Sequence, residues 1–149
     1  MLKYKLLHPG ILKTLAEAGH NSMVLIADGN YPFSTKLARR AEAVYLNLSP
    51  GIVTATQVLE AVVTAIPIQG AAVMQPARSG PYAMEIDPPI WGEFGKILKG
   101  AGINLDLEEL SIAEFYDLAS SDNVALTIAT GEQRIYANIL LSIGAILPE

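Results

Sequence analysis

His20 and Asp28 stand eight residues apart in "GHNSMVLIADG", separated by Asn21, Ser22 and the apolar run of residues 23–27. An imidazole changes charge near neutral pH, and a carboxylate at the end of an apolar run accepts hydrogen bonds. The pair is therefore suited to moving protons to and from hydroxyl groups. A second polar set lies near the other end of the chain. In "EQRIYANILLSIG", Glu132, Arg134, Tyr136 and Asn138 alternate with Gln133, Ile135, Ala137 and Ile139. An extended backbone would send the four polar groups to one side. Such a row reads either as the wet face of a sheet or as the wall of a sugar-sized pocket.

Each of these residues also has a plainer reading. A histidine after a helix-ending glycine can be a cap or a surface group, and an aspartate before a glycine is common turn chemistry. Ligands of open α/β sheets, however, gather beyond the carboxyl ends of strands, where Asp28 would sit. Other chemistries find less support. With His8 and His20 as the two histidines and no cysteine, a dedicated metal site lacks ligands, and His8 in "HPG" most simply precedes a helix start. There is no GxSxG elbow, "ATGEQ" lacks the lysine of a phosphate-cradling loop, and "ADGNYP" has one glycine where a dinucleotide fingerprint needs three. Proton transfer without a metal or a cofactor is what remains, with His20 and Asp28 as its carriers.

The elements that would position these groups alternate along the chain. "HPGILKTLAEAGH" has a first-turn proline and apolar residues at helical spacing. "SMVLIADG" is a buried strand ending at Asp28, "GNYPF" a loop, and "EAVYLNLSPG" a strand followed by a turn. "TATQVLEAVVTAI" is a helix capped by Thr54, and "QGAAVMQP" a third strand. Residues 75–89, with four prolines and a glycine, form a loop and a candidate rim. "IWGEFGKILKGAG" is a helix weakened by Gly92 and Gly95, and "SIAEFYDLAS" is a helix with a Ser111–Glu114 capping box. "NVALTIATGE" and "ANILLSIGAIL" close the chain as apolar strands. Alternation of this kind predicts an α/β fold with a largely parallel sheet, in one domain spanning residues 1–149.

Composition sets the surroundings. The chain is 51% hydrophobic and 17% charged, against roughly 25% charged residues in ordinary soluble domains. A chain of 149 residues cannot bury that much apolar surface by itself, so a homo-oligomer is expected. A formal charge of -5 with scattered Lys and Arg gives no footprint for nucleic acid. No run long enough to span a membrane and no signal-peptide pattern is present, which with the absence of cysteine predicts a cytoplasmic protein.

"LAEAGHNSMVLIADGNYP" and "TGEQRIYANILLSIG" together resemble the N- and C-terminal signatures of the ribose pyranase and fucose mutarotase family (RbsD/FucU), and the resemblance covers nearly the whole chain. "EFYDLAS" is closer to the fucose mutarotase branch. The resemblance implies a three-layer α/β/α sandwich and a cofactor-independent isomerase that interconverts cyclic forms of a free monosaccharide. It implies that His20 is the catalytic histidine and that Asp28, Tyr136 and Asn138 hold the sugar. It also implies a ring-shaped assembly, a decamer being one form, with sites at subunit boundaries. Tyr31 and Trp91 could add apolar faces, although loop and helix packing is the simpler account of both. Some pyranase-branch members carry a second histidine on the helix matching residues 90–99. "IWGEFGKILK" has none, so either Glu93 substitutes or the site is tuned to another sugar. A non-catalytic sugar-binding or transport-associated protein would use the same pocket, and a purely structural ring-forming protein would leave it occluded.

Overall fold

The computed structural model describes residues 1–149. Its elements run α1 (Pro9–Glu17), β1 (Met23–Ala27), β2 (Glu42–Tyr45), α2 (Ala55–Val62), β3 (Ile68–Met74), α3 (Ile90–Gly100), β4 (Glu108–Leu110), α4 (Ile112–Ala119), β5 (Val124–Ala129) and β6 (Ile139–Ile143). The caps explain where the helices begin. His8 accepts the Ile11 N–H through Nδ1 ahead of Pro9, and Thr54 with Gln57 and Ser111 with Glu114 form reciprocal capping boxes. β4 escapes the sequence reading because its three residues, two of them exposed glutamates, carry no apolar signal.

The strands form one six-stranded sheet in the order β2-β5-β1-β6-β3-β4. The pairs β2-β5, β5-β1 and β3-β4 are parallel, and β6 runs antiparallel to both of its neighbours. The direction of β6 follows from its connection. β5 and β6 flank β1, and residues 130–138 between them contain no helix. A parallel return takes a crossover of roughly a dozen or more residues, usually helical. The shorter segment can only cross the carboxyl end of β1 and start back down the sheet.

Both faces of the sheet are covered, which is why its central strands read as uninterrupted apolar runs. Val24, Ile26, Leu126, Ile128, Ile139 and Leu141 pack with Ile11, Val58, Leu59, Phe94 and Leu98 from α1, α2 and α3. Leu25, Ala27, Ala72, Met74 and Leu140 pack on the other face with Phe115 and Ala119 of α4 and with Tyr31 and Ala38 of the loop after β1. The result is the expected three-layer α/β/α sandwich. No helix is long and apolar enough to cross a membrane.

Candidate functional site

The antiparallel course of β6 puts its amino end beside the carboxyl ends of β1 and β3, with Ile139 opposite both Ile26 and Val73. Asp28, one residue past β1, therefore meets Asn138, one residue before β6. The two are locked reciprocally. Asn138 Oδ1 accepts the Asp28 backbone N–H at 2.9 Å, and Asn138 Nδ2 donates to Asp28 Oδ2 at 3.1 Å. The Ala137 N–H donates to the same carboxylate oxygen at 3.1 Å, and the Asn30 N–H to Oδ1 at 2.9 Å. Asp28 is only 3% exposed. Burial raises its carboxyl above the ordinary value, against the opposing pull of the bonds from Asn30, Ala137 and Asn138.

Asp28 and Asn138 line a cavity of about 510 Å³ together with Asn30, Tyr31, Met74, Tyr82, Tyr116, Ile135 and Tyr136. Its walls combine aromatic faces with a few fixed polar groups, the balance typical of small-molecule sites. Tyr31 and Tyr116 lie with ring centroids 5.7 Å apart. Burial raises both phenols above their ordinary value, and the nearby Asp28 carboxylate adds to the effect at Tyr116. Both therefore stay protonated at neutral pH and can donate or accept hydrogen bonds. No three His, Asp or Glu side chains come together in a way that could hold a metal ion.

The segment 130–138 is not the extended strand that its alternation predicts. It is a loop, with a turn around Tyr136, whose φ is 58°. The four polar residues consequently go to different places. Glu132 is buried, its carboxylate held by Arg134 Nε and Nη2, both at 2.9 Å, and by the Arg134 N–H at 3.1 Å. Burial works to raise this carboxyl, but the bonds from Arg134 prevail and hold it below its ordinary value. Arg134 Nη1 also pairs with Glu93, so Glu93 is an ion-pair partner on the outside of α3 and not a lining residue of the cavity. Tyr136 lines the cavity, but its hydroxyl donates to the Tyr82 carbonyl at 2.9 Å and accepts the Ala77 N–H at 3.2 Å. The loop is kept close by Gly131, where a Cβ would clash with the carbonyl oxygens of Ser49 and Ile52.

His20 lies elsewhere. It precedes β1 while Asp28 follows it, so a strand of five residues, roughly 17 Å long at about 3.3 Å per residue, separates them. His20 is exposed in a polar groove with Lys13, Glu17, Arg40 and Asp122. Its Nε2 is 3.1 Å from Gln69 Oε1, and Gln69 Nε2 donates to Asn21 Oδ1 at 2.6 Å. The Gln69 carboxamide thus holds one ring nitrogen of His20, and Nδ1 has no bonded partner within the chain. One chain thus brings Asp28, Tyr136 and Asn138 together and leaves His20 at the opposite end of the sheet.

Of the two aromatic candidates, Tyr31 lines the cavity and Trp91 belongs to the core on the other face of the sheet. Tyr82 and Tyr116 were not singled out by sequence reasoning. The signal available for Tyr82 is an aromatic residue inside a proline-rich rim. For Tyr116 it is a polar-tipped aromatic on the buried side of a short helix.

Known proteins resemble this chain over nearly its full length. Human fucose mutarotase is 32% identical over 151 residues, covering 95% of this chain and 90% of that protein. The Streptococcus pneumoniae fucose mutarotase, solved in complex with L-fucose, superposes with a TM-score of 0.79 at 25% identity over 99% of this chain and all of its own. The Bacillus subtilis RbsD complexed with D-ribose shares the fold, with a TM-score of 0.74 at 23% identity and 99% of this chain covered. A family model matches residues 1–146, so this chain belongs to the RbsD / FucU transport protein family.

Proposed function

We propose that this chain is a cofactor-independent isomerase that interconverts the cyclic forms, anomers or pyranose and furanose, of a free monosaccharide such as L-fucose or D-ribose. The observation that carries the reading is Asp28. It is a buried carboxylate fixed by three donors in the wall of a cavity of about 510 Å³, in a chain whose relatives include a fucose mutarotase. A carboxylate so held keeps accepting capacity for a sugar hydroxyl, while the rings of Tyr31, Tyr82 and Tyr116 offer faces for its C–H surface.

Mutarotation needs the anomeric O–H proton removed, the bond from C1 to the ring oxygen broken and that oxygen protonated. Rotation about the C1–C2 bond and closure through the same oxygen then give the other anomer, and closure through a different hydroxyl gives the other ring size; in either case the closing hydroxyl loses its proton and O1 regains one. Asp28 orients the hydroxyls. The proton acceptor is His20 through Nδ1, and because His20 cannot reach Asp28 within one chain, a second copy supplies it. The same assembly covers exposed apolar side chains such as Tyr45, Leu48 and Ile52 and forms a homo-oligomeric ring, of which a decamer is one form. The cysteine-free composition suits a cytoplasmic location.

The test is exchange NMR on a panel of L-fucose, D-ribose and D-galactose, which reads binding and anomer exchange together. Acceleration over buffer for at least one sugar is expected. Binding without acceleration would favour the second reading, a sugar-binding protein. That reading draws support from the distance between His20 and the Asp28 cavity in the single chain.

A further inference from the structure

We propose that Tyr136 acts as a positioning residue, its phenol holding the 77–87 rim, and through it Tyr82, over the Asp28 cavity. The inference rests on the reading of that cavity as the sugar site and concerns how the site is kept closed. Between Pro76 and Pro88, both buried, the rim contributes no buried residue to the molecule. It is instead bonded to itself. The Met84 N–H donates to the Ala77 carbonyl at 3.0 Å, and Arg78 donates to the Met84 carbonyl at 3.0 Å and to Asp87 at 3.2 Å. The hydrogen bonds that tie this unit to the rest of the chain both end on one atom, the Tyr136 hydroxyl, which takes the Ala77 N–H and gives its proton to the Tyr82 carbonyl.

The backbone is arranged to put that atom there. Tyr136 adopts φ 58°, a left-handed conformation that a tyrosine seldom takes and that persists where the surroundings hold it. A phenol has one proton to donate, and Tyr82 already holds it, so Tyr136 cannot donate to a sugar without releasing the rim. The rim in turn brings Tyr82 to the cavity wall although its residue is 70% exposed. The fit of a sugar between Asp28 and Tyr82 therefore depends on Tyr136 at one remove.

Hydrogen exchange on sugar-free Tyr136→Phe tests the tether directly. The Ala77 amide and its rim neighbours should exchange at least about ten times faster than in the parent, while the amides of β1 and β6 keep their protection. The half-saturating sugar concentration should rise by roughly three- to tenfold, a larger effect than any change in the maximal exchange rate. Because Ala77 and Met84 are bonded across the base of the rim, residues 78–83 can be replaced by Gly-Gly. In that short-rim chain, Tyr136→Phe should alter half-saturation less than about twofold, since the two changes remove the same thing. Unchanged rim exchange in Tyr136→Phe overturns the proposal, whatever the sugar data and whether or not the short-rim chain folds. An undiminished loss of affinity in the short-rim chain also overturns it, by placing the phenol on the sugar itself. If the parent binds no sugar, the proposed function falls, and the exchange experiment still decides the tether.

Discussion

Asn138→Ala separates a lock on Asp28 from a free wall of the cavity. The sequence reading treats Asn138 as a hydroxyl-binding side chain whose loss weakens binding and leaves the fold intact. Its carboxamide is instead committed to Asp28 on both ends, at 2.9 and 3.1 Å, in a residue only 4% exposed. Truncation removes a hydrogen bond to a charged group, worth about 1.5–3 kcal/mol, and leaves the Asp28 N–H buried without an acceptor, at about 1–3 kcal/mol. Water entering the vacated space recovers part of this, so a net loss of about 3–4 kcal/mol is expected, a large share of the roughly 5–15 kcal/mol typical of a domain. Urea unfolding at an unchanged slope measures it.

Asp28 supplies a second readout. Its carboxyl is already raised by burial, and the Asn138 bond is one of the interactions that lower it, so Asn138→Ala should raise it further. A carboxyl with a raised folded-state value favours the folded state below its unfolded value of about 3.8 and loses that contribution as pH rises through the folded value. The stability gap between variant and parent should therefore be wider at neutral pH than in acid. A loss below about 1 kcal/mol, with the carbon-13 titration of the Asp28 carboxyl unmoved, would refute the lock.

Arg134→Ala strands the Glu132 carboxylate, which is 4% exposed, while Arg134 itself is 41% exposed. Solvent screening on the arginine side brings the cost to about 3 kcal/mol, the low end for a broken buried pair, and Glu132→Gln in the same chain should recover part of it in thermal melts. Since Glu132 is held below its ordinary value of 4.5, the pair stabilises the parent above that pH. The benefit is lost as pH falls through the lowered folded value, a trend that Arg134→Ala should flatten. His20→Ala should slow anomer exchange by about 10² to 10⁴-fold, whereas His8→Ala, which loses a helix cap, should cost about 1 kcal/mol and leave exchange at the parental rate; the reverse pattern in exchange NMR would remove His20 from the mechanism. Light scattering at micromolar concentration should give a mass above that of a dimer, and a monomer mass would sink the shared-site arrangement.

Local signals in the sequence settled the parts that depend on a few neighbouring residues. Ser111 with Glu114, and Thr54 ahead of its helix, marked helix starts because capping is an interaction within one turn. The apolar runs at residues 23–27 and 124–129 marked strands buried on both faces because each face needs its own cover. Asp28 at a strand's carboxyl end was legible for the same reason. The partners of the site residues were not legible. Alternation in residues 132–138 has the period of a strand, but the segment had to bend over β1, and that constraint comes from strand order, which no local pattern encodes. Bending sent Glu132 to Arg134, Tyr136 to the rim and Asn138 to Asp28. His20 and Asp28, neighbours in sequence, were driven apart because the residues between them form an extended strand, and Asp28 and Asn138, 110 residues apart, were joined because β6 returns antiparallel beside β1.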